Sequence, residues 1–492
     1  MTTLGYTSAD HLAFLPPLLL AVFACSIMLL DVAARYSDQA KRGVVGFGLV
    51  GLALTGYALF LQWRALDKAS QPFMTALQNS VMVDALSVFT NGVVLVATAI
   101  LFLSAYRYLE VSEEHRLEFY TLSLFAQCGM YFMASAVDLV LLFVGLETAA
   151  VSFYILVGFT RTDRRSNEAA LKFLLLGALA SGFVVYGFSL LYGISGSTRL
   201  TAIGAAVLQR GPRDAFVILA TVTITAGFLF KITAVPFHTW APDAYDGAPT
   251  PVTAHLSVAS KVASFAVLIR LLLTTLSPAR PIWEPMVVVA AVASLTIGSI
   301  AALTQSRLKR FFAYSSIAHV GYVLLGLVAN SQAGLQGIYV YLLVYAMMSL
   351  GAFSLLISLR RHGITGEFIS DLRGLSKNHP VHAALFVVLL LSLSGMPPTA
   401  GFLAKYFIFV ALIETGHIAL AVIAAAYAAV SLYLYFRLVR EMYLSDGGAR
   451  EPIAASLGIR ISLAVTTTFT LLIGLFPEPM LRAGFRLAGG AQ

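Results

Sequence analysis

The seventeen residues GFLFKITAVPFHTWAPD, from Gly227 to Asp243, set Lys231 and Pro236 inside an apolar run. The stretch SLSGMPPTAGFLAKY, from Ser392 to Tyr406, repeats the theme with Gly395, Pro397, Pro398 and Lys405. Proline removes a helix hydrogen bond, and its ring collides with the preceding turn. Within a bilayer such a break survives only where the freed backbone groups face protein or water. Two interrupted apolar helices, each with a lysine, point to an ion site near the membrane midplane. They argue for an all-α polytopic membrane protein.

The surrounding sequence agrees. Of 492 residues, 59% are hydrophobic and 11% charged, against about 25% charged in soluble domains. The net charge is +8, but the basic residues are spread over short loops. No clustered patch invites nucleic acid. Cys25 and Cys128 lie in apolar runs and are too few for an iron–sulfur or zinc site. The run His11–Leu30 has no basic flank or clear cleavage site, so it reads as a first span rather than a leader.

A span needs about 20 mostly apolar residues. Fourteen runs qualify, near 12–32, 43–63, 82–105, 117–136, 138–160, 168–192, 214–240, 252–276, 285–304, 311–329, 336–359, 381–414, 418–436 and 461–480. With the N-terminus outside, cytoplasmic loops hold 19 Lys and Arg and outer loops 8. This positive-inside bias supports an even count, with both termini on the periplasmic side of a bacterial inner membrane.

Five basic residues fall within spans. Arg270, in the outer part of span eight, is expected to snorkel to the interface. Lys172 lies about one turn inside span six, where it either snorkels inward or serves as a further relay. Lys231, Lys261 and Lys405 are deeper, and Glu147 is the one acid near the middle of a span. Each central charge costs at least about 2.5–3.5 kcal/mol to insert, so these four should face the bundle interior. Desolvation favours a neutral amine, so a buried lysine can bind and release a proton near neutral pH. A nearby carboxylate opposes that release. A lysine–glutamate pair is therefore a switchable proton site, although a single pair can equally be a static packing device. Three lysines against one glutamate favour proton transfer. His238, His255 and His319 are further relay candidates.

The two interrupted spans are five apart. Spans four to eight (117–276) and nine to thirteen (285–436) can then be two five-helix units, inverted because five is odd. Spans one to three (12–105) precede them and span fourteen (461–480) follows, all in one membrane domain. The letters GFGLVG, from Gly46 to Gly51, match a dinucleotide fingerprint. They lie inside span two with no preceding strand, so no NADH, flavin or ATP site is expected here.

The motifs together resemble the antiporter-like subunits of proton-translocating NADH–quinone oxidoreductase, respiratory complex I. The residues that carry this are LLFVGLETAAVSFYILVGF around Glu147, EAALKFLLLGALASGF around Lys172, FLFKITAVPFHTWAPDAYDGAPTPVTA around Lys231, ASK at Lys261, LKRFFAYSSIAHVGY around His319, DLRGL at 371–375, and SLSGMPPTAGFLAKYFIF around Lys405. Gly145-Leu146 precedes Glu147, where the family usually has a tryptophan–glutamate pair. Lys405 and the short C-terminal end make the chain most similar to the N-type branch. The resemblance implies one proton pathway, with Glu147 modulating Lys231 and Lys261 passing the proton to Lys405. It also implies other membrane-arm subunits as partners, further antiporter-like ones among them. FMN, iron–sulfur clusters and quinone belong to partner subunits on this reading. The alternatives are a subunit of a multisubunit sodium/proton antiporter, or a membrane scaffold that pumps nothing.

Overall fold

The computed structural model describes residues 7–33, 38–68, 72–112, 114, 116–360, 366–445, 453 and 455–478. Arg35, Arg361, Arg450, Arg482 and Arg486, counted in the loop bias, lie outside them. The helices are α1 (Ser8–Ala33), α2 (Asp38–Lys68), α3 (Ala85–Val111), α4 (Glu118–Ser135), α5 (Leu139–Val157), α6 (Arg164–Ser195), α7 (Leu200–Arg210), α8 (Ala215–Lys231), α9 (Trp240–Gly247), α10 (Thr250–His255), α11 (Lys261–Leu268), α12 (Arg280–Thr304), α13 (Leu308–Ala329), α14 (Gln332–Leu359), α15 (Leu375–Asn378), α16 (Pro380–Ser394), α17 (Ala400–Glu414), α18 (Ile418–Leu444) and α19 (Leu457–Leu475). Among the described residues, eleven segments are long and apolar enough to cross a bilayer. The shorter α4 and two helices broken in their middle bring the crossings to fourteen. Span seven is α8 plus α9, and span twelve is α16 plus α17. Span eight is α10 and α11 joined by π-helical turns at Leu256–Ser260 and extended by Ile269–Thr275.

The breaks fall at the proline sites. Val235–Pro236 and Pro397–Pro398 are cis, and neither 232–239 nor 395–399 is helical. Gly395 caps α16 at φ +83°, a left-handed conformation that glycine adopts without steric cost. Several spans start on a side-chain cap. Asp138, Asp163, Asp214 and Ser331 each accept from backbone amides of the first turn, satisfying otherwise orphaned donors.

One element departs from the all-α reading. Strands β1 (Phe73–Ala76) and β2 (Val81–Asp84) form an antiparallel hairpin, with Phe73 opposite Asp84. Loops of like parity meet. The hairpin bridges to Ala136, and Asp138 bridges to Arg199. At the opposite end Arg307 bridges to Phe368. Fourteen alternating crossings put the loops on these two ends.

The two five-helix units share a packing scheme. In the first, α4 packs most closely on α5 and α6 on α8; in the second, α12 packs on α13 and α14 on α17. Close approach at glycine fixes the register. A Cβ on Gly129 would meet Ala149 N and Gly145 O, and one on Gly298 would meet Ala318 N and Tyr314 O. The three matched positions are each 169 residues apart.

Candidate functional site

The breaks place charge in the core. Lys231 is the last residue of α8, immediately before the non-helical segment. Its Nζ donates to Ser181 Oγ at 3.2 Å, and Ser181 Oγ donates to Glu147 Oε1 at 2.5 Å. The expected lysine–glutamate pair is thus bridged by a serine of α6. Glu147 and Lys231 are half-buried and Ser181 is buried. A cavity of about 20 Å³ adjoins Lys231, walled by Phe173, Phe230, Trp240, Ser260 and Ser264. It has room for about one water. Ser260 and Ser264 flank Lys261 on span eight.

Lys261 and Lys405 are fully enclosed, 2% and 3% exposed. Lys261 Nζ donates to Ser316 Oγ of α13 and lies 5.8 Å from the centre of the Tyr245 ring. Lys405 Nζ donates to Ser394 O at 2.7 Å, a carbonyl freed by the end of α16. It also sits 4.8 Å over the Tyr322 ring, a cation–π contact that offsets part of the desolvation. His319 lies on α13 three residues beyond Ser316 and is buried. Its ring nitrogens meet Tyr341 Oη at 2.8 Å and Tyr435 Oη at 3.2 Å, and Tyr435 also meets Ser315. Each lysine therefore touches a hydroxyl or carbonyl rather than a carboxylate. Among the described residues Lys261 and Lys405 then have no carboxylate in contact, and Lys231 meets Glu147 only through Ser181.

The other candidates scatter. His255 Nε2 meets Thr98 Oγ1 at 3.0 Å on α3, and His238 lies half-buried in the break of span seven. Lys172 sits two turns into α6 at the Glu367 end, not in the centre. It bridges Glu168 at 2.8 Å and Asp243 at 3.0 Å.

Arg270 corrects the sequence reading. It does not snorkel: it is 6% exposed and pairs with Asp84 at 3.0 Å. It also donates to Ala134 O. Asp84 simultaneously caps α3 by accepting from Ser87 N. The partner was hidden because it lies in the hairpin, 186 residues away.

Ser181, Ser316, Tyr341 and Tyr435 were also missed. Their only sequence signal was polarity inside an apolar run. Among the described residues, no group of three or more His, Cys, Asp or Glu is placed to hold a metal.

Residues 136–431 match the family model for the transmembrane region of NADH:quinone oxidoreductase and Mrp antiporters. The chain is 51% identical over 481 residues to NADH-quinone oxidoreductase subunit N 2 of Solibacter usitatus, covering 98% of each protein. A chain of respiratory complex I from Thermus thermophilus with bound aureothin superposes with a TM-score of 0.78 at 32% identity. That match covers 95% of this chain and 98% of the other. A chain of the Mrp complex from a Dietzia species superposes at 0.84 with 20% identity, covering 98% and 97%; at that identity it shows a shared fold.

Proposed function

Because the chain belongs to the NADH:quinone oxidoreductase/Mrp antiporter membrane family, as a subunit N of NADH-quinone oxidoreductase, we propose that it moves protons through Lys231, Lys261 and Lys405, with Glu147 as the control charge. The observation that carries this reading is the set of three core lysines, each on a hydroxyl or carbonyl partner, with Glu147 reaching Lys231 through Ser181 and with His319 three residues from Ser316, the partner of Lys261. A proton enters from the cytoplasm at the Glu367 end, reaches Lys231, passes beside Ser260 and Ser264 to Lys261, and continues by His319 to Lys405. It leaves on the hairpin side. Movement of Glu147 away from Ser181 weakens its hold on the Lys231 ammonium and releases the proton onward.

The 19-to-8 loop bias supports a cytoplasmic Glu367 end, both termini periplasmic, in a bacterial inner membrane. Electron transfer belongs to partner subunits that carry FMN, iron–sulfur clusters and quinone. This chain then carries no redox centre and binds no NADH. Other membrane-arm subunits, further antiporter-like ones included, are its neighbours in the bilayer.

The test is NADH-driven proton uptake by vesicles carrying Lys231→Ala or Glu147→Ala complexes of verified assembly. Loss of pumping with full assembly is expected. Pumping at the parent rate in both variants overturns the reading and leaves a scaffold. Co-purification with flavin and iron–sulfur proteins separates it from a free-standing antiporter.

A further inference from the structure

We infer that α9 is a cytoplasmic latch clamped between the two repeats, with Asp243 and Asp246 as the positioning residues that hold it shut over Lys231. The inference rests on the proton route proposed above. α9 is only eight residues long, and 232–239 separate it from α8 without a helical turn. It can therefore move without unwinding α8. What holds it is charge. Asp243 binds Lys172 of α6 at 3.0 Å and Arg310 of α13 at 2.7 Å. Asp246 binds Arg165 of α6 at 3.5 Å and Arg307, the residue before α13, at 2.7 Å. Each carboxylate thus takes one cation from the first repeat and one from the second. Glu367 closes the plate onto Arg165, Arg307 and Lys309.

The latch covers a path. A cavity of about 90 Å³ at the ion pairs, lined by Glu168, Lys172, Asp243 and Arg310 among others, has room for about three waters. Inward of it stands Trp240, one turn before Asp243 on the same helix. Its ring stacks on Phe173 at 4.4 Å and 12°, and its Nε1 donates to Phe230 O at 3.1 Å. The far side of these rings lines the Lys231 cavity. Ion pairs that fix Asp243 therefore fix Trp240 across the way in. The clamp is also wired to the centre. α13 carries Arg310 at its cytoplasmic end and, further along, Ser316 and His319, which meet Lys261, Tyr341 and Tyr435. A shift of α13 when Lys261 changes protonation reaches α9 as a change in its clamp. Cytoplasmic access then opens only in one state of the second repeat.

The test uses whole complexes in proteoliposomes. Asp243→Asn removes both charge pairs of that carboxylate and keeps its size. The expected result is normal assembly and quinone reduction, with passive proton conductance raised roughly tenfold, the equivalent of one charge-assisted hydrogen bond. Protons pumped per NADH should fall in proportion. Unchanged conductance with unchanged pumping makes α9 a plain strut and overturns the latch. Lost pumping in a tight membrane makes Asp243 a proton carrier and overturns it too. If Asp243→Asn does not assemble, Arg310→Gln leaves the Lys172 bridge in place and should still leak; a tight membrane there is equally fatal. Lys231→Ala run in parallel separates the two readings. Pumping that survives it condemns the route, whereas a tight Asp243→Asn membrane with Lys231 still required condemns the latch alone.

Discussion

Ser181→Ala is the sharpest perturbation of the proposed relay, because it removes the bridge and leaves both charges in place. Ser181 Oγ receives from Lys231 Nζ at 3.2 Å and donates to Glu147 Oε1 at 2.5 Å. Hydrogen bonds to charged groups contribute about 1.5–3 kcal/mol each. Taking the lower end for this bridge puts the lost coupling at about 1.5 kcal/mol. At about 1.4 kcal/mol per factor of ten, that is roughly a tenfold loss in the influence of Glu147 on Lys231. The readout is proton uptake per NADH oxidised in proteoliposomes, with assembly checked by subunit content and quinone reduction measured separately. Ser181→Ala should lower pumping roughly tenfold at near-normal assembly, and Ser181→Thr, which restores a hydroxyl, should recover most of it. Pumping within about twofold of the parent in Ser181→Ala refutes the reasoning, because the pair would then couple without the bridge.

Three more outcomes follow from particular contacts. Arg270→Met leaves Asp84 buried without its cation, and removing one partner of a buried pair costs about 3–5 kcal/mol; the complex should lose this subunit or unfold at a clearly lower temperature, and an unchanged midpoint refutes the pair's role. Tyr435→Phe takes one hydroxyl from His319 and Ser315, worth about 0.5–1.5 kcal/mol, so pumping should slow roughly two- to twelvefold; parent-level pumping removes Tyr435 from the relay. Glu367 carries a pH dependence. Burial alone raises its carboxyl, but Lys309, Arg307 and Arg165 outweigh this and hold it below the ordinary value of 4.5. A depressed carboxylate stabilises the fold above its unfolded value and loses that contribution as pH falls through its folded value. Thermal midpoints should therefore decline below about pH 4.5, and Glu367→Gln should flatten that acid limb.

The sequence was legible where chemistry conflicts with its surroundings. Lys231 and Lys405 stand out because charge in an apolar run is expensive, and Pro236, Pro397 and Pro398 because proline in such a run breaks a helix. Both signals are local, and both breaks occur where they point. Arg270 misled because its depth was judged from the end of span eight, while its partner Asp84 comes from a distant hairpin. Ser181 and Ser316 were silent because serine in a membrane helix ordinarily bonds its own preceding turn. Only the packing of α6 on α8, and of α13 beside span eight, turns those hydroxyls toward a lysine. Lys172 stands near the end of its span, as its sequence position implied. The residue is engaged with charge, but with Glu168 and Asp243 at the membrane edge.

The two repeats share a scaffold, and one matched position beside the lysines differs in chemistry. The offset of 169 residues that relates Gly129 to Gly298, Ala149 to Ala318 and Gly145 to Tyr314 carries Glu147 onto Ser316. Both residues serve a lysine of the same central row. Glu147 reaches Lys231 through Ser181, while Ser316 bonds Lys261 directly. One repeat thus offers a carboxyl group and the other only a hydroxyl. A carboxylate interacts with an ammonium over several ångströms and changes its proton affinity when it moves, whereas a neutral hydroxyl acts only at contact. On the proposed route, electrostatic control then enters at the Glu147 end. The groups of that route from Lys261 onward are hydroxyls, an imidazole and a lysine that, among the described residues, contact no carboxylate. On the proposed route that asymmetry supplies a direction: a carboxyl that can be moved at one end, and a chain of hydroxyl, carbonyl and imidazole partners leading away from it.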